Sequence, residues 1–506
     1  MKKTFLLSCL MLAAMPVMAA YTGHVYVDKN KNGVFDQSEK PLAGIKVSDG
    51  LNVVETAADG SFTLPGHERE RFIFITTPSG YKTFNRHYHK IEKKQSGYDF
   101  GLIPYSGRIR KNGSHRYIHI ADTEMFNTEN HADWVNNVRD YARNEQAAFI
   151  IHTGDICYEK GLKAHIKLMN TENMDCPVFY CIGNHDLVKG KYGEELFESI
   201  YGPVYYSFDA GNVHYVVTPM PGGDHAPGYT SDDVCRWLKN DLAHIRPGTP
   251  VVVFNHDLLT YEDTFIFKSK NAGSINLNEY NLKAWVYGHW HINYMKKQGD
   301  VYSVCTSSLD KGGIDHSTTA FRVMHVDSKG DFTSELRYTY LDKNICIASP
   351  AGVMASGVLP VAVNVYSSVS PVREVLYTCL ADGKPVLKNK RLLQSTDWSW
   401  NGELPLSHKY VGKELTLRVT ARFNNGEIAE AESNFICRTE KAVPLFSADW
   451  DNLSGNAKHS APVSAPLNLP LQLAWTNNVG ANLYMTSPLI HLSLIHISEP
   501  TRPISI

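Results

Sequence analysis

The pattern of hydrophobic and polar positions divides the chain into two kinds of region. Short alternating runs, separated by Gly, Asp and Asn turns, fill residues 21–105, and similar alternation returns over residues 346–440. Between them, residues 106–345 alternate hydrophobic strands with amphipathic helices, such as the one around Trp237. Alternation with a period of two is typical of half-buried strands, and strand–helix alternation is typical of an α/β domain. We therefore predict an α/β domain flanked by N- and C-terminal β-sandwich domains.

The two ends of the sequence call for a separate interpretation. Residues 1–20 carry two lysines, an apolar run and then small residues, which is the composition of a secretory signal peptide. Residues 441–491 resemble the start of a quinoprotein-type β-propeller, of which a single partial blade cannot bury its own faces. Residues 492–506 resemble a translated sequencing adapter, and we exclude them from the fold. We expect an exported protein, periplasmic or extracellular, with no transmembrane segment.

Composition and charge exclude several classes of function. A chain of 506 residues with 43% hydrophobic and 20% charged residues has the composition of a folded protein. Lys and Arg number 50 against 52 Asp and Glu, so no overall cationic field attracts nucleic acid, and we predict no nucleic-acid-binding surface. An anionic substrate would then need a local source of positive charge, and bound metal ions are the obvious supplier.

Five hydrophobic strands of the central region each end in a cluster of polar residues. In open α/β sheets, ligands bind beyond the carboxyl ends of the strands, so we expect these clusters to converge on one site. The clusters are Asp122-Thr123-Glu124, Gly154-Asp155, Gly183-Asn184-His185-Asp186, Asn255-His256-Asp257 and Gly288-His289-Trp290-His291. Carboxylate, amide and imidazole donors suit divalent Mn, Fe, Zn or Mg. Two such ions, bridged by Asp155, would form a clamp for hydrolysis of phosphate esters.

In order and spacing these clusters resemble those of the calcineurin-like metallophosphoesterases, over roughly residues 116–340. The resemblance implies a four-layer α/β sandwich and a dinuclear metal centre with a metal-bound hydroxide as nucleophile. It implies that one ion is held by Asp122, Asp155 and His291, and that the other is held by Asp155, Asn184, His256 and His289. It gives His185 the task of protonating the leaving oxygen or stabilising the phosphate in the transition state. Asp186 would orient that imidazole.

Glu124 departs from the family pattern, which has a histidine at this position. A carboxylate can still bind a metal ion, so we keep Glu124 as a ligand of the first ion; the alternative is that it turns away and water takes its place. With three carboxylates, two divalent ions and a hydroxide, the site would be neutral rather than positive. We expect such a site to favour phosphodiesters over phosphomonoesters, and hard metals over zinc. Tyr158, in the family's GDxxY position, is expected to pack beside or contact the substrate.

A second candidate site lies in the N-terminal region. Residues 28–39 fit the twelve-residue calcium loop, with glycine at position 6 for the sharp turn. The oxygen ligands would come from Asp28, Asn30, Asn32, the backbone of Val34, Asp36 and Glu39. Because the flanks are β-like, the segment resembles the calcium loops of adhesin B-type repeats more than an EF-hand, and we expect a structural ion. The alternative is an Asn- and Gly-rich hairpin loop without metal.

These features lead to one main functional hypothesis and two alternatives. We predict an enzyme that hydrolyses a phosphate ester, with phosphodiesters favoured, on a phosphorylated small molecule or on a surface glycan or lipid. One alternative is a phosphomonoesterase or nucleotidase. The other is a non-catalytic surface-binding scaffold in which Glu124 marks a decayed site. Retention of the converging ligands favours the enzyme, because a scaffold has no physical reason to keep them.

Overall fold

The computed structural model describes residues 20–439, except Ser96 and Asp342, together with two short paired strands near the C-terminus, Pro488–His491 and Leu494–Ile497. Apart from Ala20 and those two strands, the predicted signal peptide (1–20), propeller start (441–491) and adapter-like segment (492–506) lie outside the described residues. In the part of the chain that is described, no helix has both the length and the apolar character needed to cross a membrane.

The N-terminal region consists of short strands in two sheets. They are β1 (Ala20–Val27), β2 (Lys40–Pro41), β3 (Lys46–Ser48), β4 (Val53–Glu55), β5 (Ser61–Pro65), β6 (Phe72–Ile75), β7 (Tyr81–Thr83), β8 (Tyr88–Lys90) and β9 (Phe100–Pro104). One sheet has the order β2-β1-β9-β7, with β5 also paired to β1, and the other has the order β4-β3-β6-β8. Val25 and Leu64 from the first sheet share a buried core with Val47 and Ile73 from the second. The second sheet is also buried on its other face, where Phe72 and Phe74 of β6 pack into the core of the central domain.

The central domain alternates strands with helices. Its strands are β10 (His115–Ile120), β11 (Phe149–His152), β12 (Val178–Tyr180), β13 (Tyr206–Ala210), β14 (Val213–Val217), β15 (Val251–Phe254), β16 (Ile266–Phe267), β17 (Ile275–Asn276), β18 (Leu282–Tyr287), β19 (Tyr294–Gln298), β20 (Val301–Cys305), β21 (Ala320–Val326) and β22 (Phe332–Tyr338). Its helices are α1 (Ala132–Asn144), α2 (Tyr158–Leu168), α3 (Thr171–Met174), α4 (Glu195–Tyr201) and α5 (Ser231–Ala243), with 3₁₀ turns at Asn184–Asp186 and Leu277–Tyr280.

Two mixed sheets organise this domain. The first has the order β12-β11-β10-β21-β22, with β10, β11 and β12 parallel. The second has the order β13-β14-β15-β18-β20-β19, with β14, β15, β18 and β20 parallel. The sheets face each other through aromatic rings: Tyr117 of the first lies 5.7 Å from Tyr215 and 5.8 Å from Phe254 of the second, measured between ring centroids. The parallel strands of both sheets thus bring their carboxyl ends to neighbouring edges.

The long helices cover the other faces of the two sheets. Trp134 and Val138 of α1 share a buried cluster with Ile118 and Ile150, which lie on the face of the first sheet opposite the aromatic contacts. On the second sheet, His214 of β14 forms a 2.8 Å contact with Asp241 of α5. Thr230 caps α5: its hydroxyl accepts the N–H of Asp233, whose carboxylate in turn accepts the N–H of Thr230. The prediction of an α/β domain is confirmed by this mixture of sheets and helices.

Over the described residues 343–439, the C-terminal region is built from strands alone, apart from a 3₁₀ turn at His408–Tyr410. Its strands are β23 (Asn344–Ser349), β24 (Gly352–Ala355), β25 (Val358–Tyr366), β26 (Val372–Ala381), β27 (Lys384–Arg391), β28 (Leu393–Gln394), β29 (Ser399–Pro405), β30 (Glu414–Phe423) and β31 (Ile428–Arg438). They form sheets of order β23-β25-β29-β28 and β24-β31-β30-β26-β27. Val363 of the first sheet and Val419 of the second lie in one buried core.

Candidate metal centre

The predicted ligands follow the carboxyl ends of strands from both sheets of the central domain. Those after β10, β11 and β12 come from the first sheet, and those after β15 and β18 come from the second. Five of the seven predicted ligands have a positive φ, between 42° and 65°: Asp122, Glu124, Asp155, His289 and His291. This conformation costs a non-glycine residue on the order of 1–3 kcal/mol and persists only where the surroundings impose it. Backbone hydrogen bonds between the loops do so, including Glu124 N–H to the Asp155 carbonyl at 3.1 Å.

One half of the site, which we call the closed half, consists of Asp155, Asn184, His256 and His289. One ligand atom each from Asp155, His256 and His289 lies within 4.8 Å of the others. His256 is fully buried, and its Nδ1–H donates to the Thr153 carbonyl at 2.7 Å. That bond directs Nε2 into the site, 3.1 Å from Asp155 Oδ2 and 3.2 Å from Asn184 Oδ1. A hydrogen bond from the second ring nitrogen is how metal-binding histidines are usually oriented.

Charge in the closed half is concentrated on the pair formed by Asp155 and His256. Burial alone would lower the pKa of His256, but the charge and hydrogen bond of Asp155 raise it to about 9. Burial opposes ionisation of Asp155 as well, yet His256 and the N–H of His185 together hold the pKa of Asp155 below its usual value. The pKa of His289 is lowered by burial and by the charge of His256. Without metal, His256 is therefore the cation that balances Asp155.

The other half, which we call the open half, consists of Asp122, Glu124 and His291. His291 Nε2 lies 3.6 Å from Asp122 Oδ1 and 3.6 Å from Glu124 Oε1. Asp122, Asp155 and His291 form a second group whose ligand atoms lie within 4.8 Å of one another. Asp155 thus belongs to both groups, the arrangement expected of a bridging carboxylate. Burial lowers the pKa of His291.

A lysine that the sequence analysis missed neutralises Glu124. Lys311 Nζ forms an ion pair with the Glu124 carboxylate and also donates to the Glu124 carbonyl at 3.3 Å. The two residues are 187 positions apart, and Lys311 lies in a Gly-containing loop with no periodic pattern, so the sequence offered no means of pairing them. The positive charge of Lys311 offsets the negative charge that Glu124 brings in place of a histidine. The charge count that predicted a neutral site therefore gains one positive charge.

The contacts of His185 correct the role predicted for Asp186. His185 Nδ1 lies 2.9 Å from Asp224 Oδ2, whereas the fully buried Asp186 accepts the backbone N–H groups of Cys157 at 2.8 Å and Gly183 at 2.9 Å. The 3₁₀ turn directs consecutive side chains to different sides, so adjacency in sequence did not place Asp186 on the imidazole. Asp224 raises the pKa of His185 against the opposing effect of burial.

Tyr158 lies beside this histidine, with ring centroids 5.3 Å apart. It also stacks on the exposed ring of Phe126, at 6.3 Å. Tyr158 is therefore positioned next to His185, and its contact with substrate stays a prediction.

The candidate calcium loop folds its predicted ligands towards one another. Both oxygens of the buried Asp28 accept backbone N–H groups, from Asn32 at 3.2 Å and Gly33 at 2.9 Å. The amides of Asn30 and Asn32 donate to Asp36 Oδ2, and Glu39 accepts the N–H groups of Lys29 and Asp36. Val34 is exposed. These contacts are compatible with either alternative, a calcium loop or a metal-free hairpin loop.

The chemistry of the donors fits two divalent ions in the central site. Burial raises the pKa of Asp122 well above its usual value, and the nearby charge of Asp155 adds to that effect although His256 opposes it. Two buried carboxylates this close destabilise each other's charge, and cations between them would remove that cost. Oxygen and imidazole donors without cysteine agree with hard or borderline ions.

Comparison with known proteins agrees with this geometry. The family model for the N terminal of calcineurin-like phosphoesterase matches residues 29–104, and the model for calcineurin-like phosphoesterase matches residues 115–293. The chain belongs to the calcineurin-like phosphoesterase family.

Individual relatives are more distant. The chain is similar to purple acid phosphatase 13 of Arabidopsis thaliana, with 26% identity over 215 residues that make up 40% of this chain and 36% of that protein. It therefore spans little more than a third of that curated relative. Among solved structures, a novel archaeal phosphodiesterase has 13% identity and a TM-score of 0.23, covering 44% of this chain and 99% of the other. Vacuolar protein sorting 29 from Cryptosporidium parvum has 10% identity and a TM-score of 0.24, covering 58% and 99%.

Proposed function

We propose that this protein hydrolyses phosphate esters at a dinuclear metal centre. The observation that carries the proposal is the position of Asp155, whose carboxylate belongs to two groups of candidate ligands at once. Asp122, Glu124 and His291 would hold one ion, and Asn184, His256 and His289 would hold the other, with Asp155 shared. When bound, the two ions supply Lewis acidity, which makes water nucleophilic and offsets the charge that develops on the phosphoryl oxygens.

The remaining steps fall to side chains of this chain. His185 lies beside the shared ligand, because its backbone N–H donates to Asp155 Oδ1 at 3.0 Å. Its imidazole can protonate the leaving oxygen, because the raised pKa of the ring favours the protonated form that a general acid needs. Asp224 holds the ring through Nδ1, and Tyr158 covers one side of it. The general acid thus belongs to the 3₁₀ turn that also carries Asn184.

Metal reconstitution tests the proposal directly. The purified protein is stripped with a chelator, reloaded with Mn²⁺, and assayed with bis-p-nitrophenyl phosphate and p-nitrophenyl phosphate. We expect activity to vanish on stripping, to return on loading, and to reach its maximum at two ions per chain. The assay is extended to nucleotides, phosphosugars and phospholipid headgroups. If the folded protein binds two ions but hydrolyses none of these compounds, the scaffold alternative is supported instead.

The choice between diester and monoester depends on Lys311. A preference for phosphodiesters follows from a neutral site, and it stays a prediction. A phosphomonoesterase is the second candidate, because the Lys311–Glu124 ion pair supports it by returning a positive charge to the open half. A dianionic monoester gains more from that charge than a monoanionic diester does.

Calcium binding by residues 28–39 is a separate proposal. Its support is the complete spacing of the loop and the burial of Asp28 and Glu39 inside it. Thermal unfolding with and without Ca²⁺ tests it, with Asp28→Ala as the variant and the exposed Asp300→Asn as the control. We expect Ca²⁺ to raise the unfolding midpoint of the control and not of Asp28→Ala. An equal response in both variants would favour the metal-free hairpin.

We also propose a four-layer central domain over residues 106–345, between β-sandwiches over residues 21–105 and 346–440. The contacts of α1 and α5 on opposite outer faces support the layers, and the two shared strand cores support the sandwiches. Export to the periplasm or the cell exterior rests on residues 1–20 and is tested by fractionation and N-terminal sequencing of the mature chain. The substrate would be a phosphorylated small molecule or a surface glycan or lipid.

A further inference from the structure

The loop of residues 219–229, between β14 and α5, lies directly on the turn that carries Asn184. The N–H of Asp224 donates to the Asn184 carbonyl at 3.1 Å. Gly223 permits this approach, because a Cβ at that position would lie 2.4 Å from the same carbonyl oxygen. A side chain there would force the loop away from the site. The loop is therefore built to contact the active-site turn.

Asp224 is the residue that the loop brings to His185. Its Oδ2 lies 2.9 Å from Nδ1 of the imidazole, and the two side chains are 38% and 33% exposed. A proton on Nδ1 is then held by the carboxylate, which leaves Nε2 as the nitrogen that exchanges a proton with a substrate oxygen. On another side, the ring of Tyr158 restricts the imidazole. The orientation of His185 thus depends on a segment far from its own turn.

The N-terminal region holds this loop in place. Arg69 Nη2 donates to the Gly228 carbonyl at 2.6 Å. Arg71 forms a 2.8 Å ion pair with the fully buried Glu194, which accepts the N–H of Gly228 at 2.8 Å. These contacts link the N-terminal region to Gly228, which lies in the same loop as Asp224. Asp224 in turn contacts His185.

We propose that Asp224 is a positioning residue for His185 and that Arg69 and Arg71 of the N-terminal region fix the loop that carries it. This inference rests on the proposed function, because it assigns His185 a proton to transfer. The N-terminal region is then a part of the active-site support and more than an attachment module. Removing its contact with Gly228 weakens catalysis without touching a metal ligand.

The first experiment separates positioning from general loop damage. Asp224→Asn and Asp224→Glu are compared with His225→Ala, which alters the next, exposed residue of the same loop. Each is assayed on a p-nitrophenyl phosphate ester and on the corresponding phenyl phosphate ester. Phenolate is the more basic leaving group, so its departure depends more strongly on protonation. We expect Asp224→Asn to lower kcat about 10- to 100-fold on the phenyl ester and less than about fivefold on the p-nitrophenyl ester, with KM nearly constant. Asp224→Glu should recover part of the loss, and His225→Ala should match the wild type.

Other readouts guard against an indirect effect. The metal content of every variant should stay at two ions per chain, and a crystal structure of Asp224→Asn should show the His185 ring turned or in two conformers. Equal losses on both esters, a change in KM alone, or wild-type kinetics would overturn the assignment of Asp224. An inactive wild type would instead contradict the proposed function, so the two failures are distinguishable.

The second experiment tests the contact with the N-terminal region. Arg69 is 52% exposed, so Arg69→Ala should fold, whereas Arg71→Ala would leave Glu194 buried and unpaired. We expect Arg69→Ala to lower kcat on the phenyl ester about two- to fivefold, and to have no further effect in the Asp224→Asn background. Additive losses in the double variant, or no loss in the single one, would show that Arg69 does not act through Asp224.

Discussion

The closed and open halves of the metal centre lie at neighbouring strand ends of the same domain, yet they balance their charge in different ways. In the closed half, the carboxylate of Asp155 is matched by the imidazole of His256, and both are buried. In the open half, Glu124 is matched by Lys311, a cation on a long and 44% exposed side chain. The comparison teaches that the closed half must release the proton of His256 to take up an ion. In the open half the cation Lys311 can remain, and a proton released there comes from Asp122, whose pKa is raised by burial. The halves should therefore respond differently to substitution, pH and substrate charge.

The largest effect is expected where the two halves meet. Asp155→Asn removes the shared negative charge, so both ions should bind weakly, and kcat should fall on the order of 10³-fold or more, since metal ions supply several kcal/mol of transition-state stabilisation. Metal analysis and steady-state kinetics measure the two effects. The remote variant Asp300→Asn should keep two ions and full activity. Retention of one tightly bound ion in Asp155→Asn would mean that the halves do not share this ligand.

The pH dependence of metal binding should distinguish the halves next. In the free protein the pKa of His256 is raised to about 9, so below that pH an ion must displace its proton. Affinity in the closed half should then fall about tenfold for each pH unit below 9. Burial lowers the pKa of His291, so this imidazole adds no such slope between neutral pH and pH 9.

Calorimetric titration with Mn²⁺ in buffers of different ionisation enthalpy counts the released protons. His256→Asn should lose the part of the release that depends on a group with a pKa of about 9, and the matched variant His291→Asn should keep it. Proton release with unchanged size and pH dependence in His256→Asn would place the titrating group elsewhere.

The smallest effect concerns substrate choice. Lys311→Met should lower kcat/KM for p-nitrophenyl phosphate relative to bis-p-nitrophenyl phosphate by about three- to tenfold, a modest change because the half-exposed ammonium is screened by water. The double variant Glu124→Gln with Lys311→Met should bring the ratio back towards the wild-type value. If Lys311→Met leaves the ratio unchanged, the charge of the open half does not select the substrate.

The sequence predicted the α/β class and the strand-end clusters because both leave a local pattern. A buried strand such as β11 reads as a hydrophobic run, and the switch to polar residues at Gly154 and Asp155 marks where it ends. Lys311 and Asp224 leave no such pattern, since each lies on a loop whose position is set by packing far along the chain. The orienting role predicted for Asp186 failed for a related reason. In a tight turn, the order of the residues does not determine which way each side chain points.

The positive φ of five metal-site residues restricts which amino acids this cleft can accept. Asp, Asn and His tolerate that backbone several-fold better than most residues do, and they are also good donors to divalent ions. Asp122, Asp155, His289 and His291 satisfy both demands, while Glu124 satisfies only the second. In a saturation screen of these positions, an accepted residue would have to tolerate the positive φ and also bind the metal ion. Position 124 is where such a screen has the most room to find a variant that binds its ion better than the natural residue does.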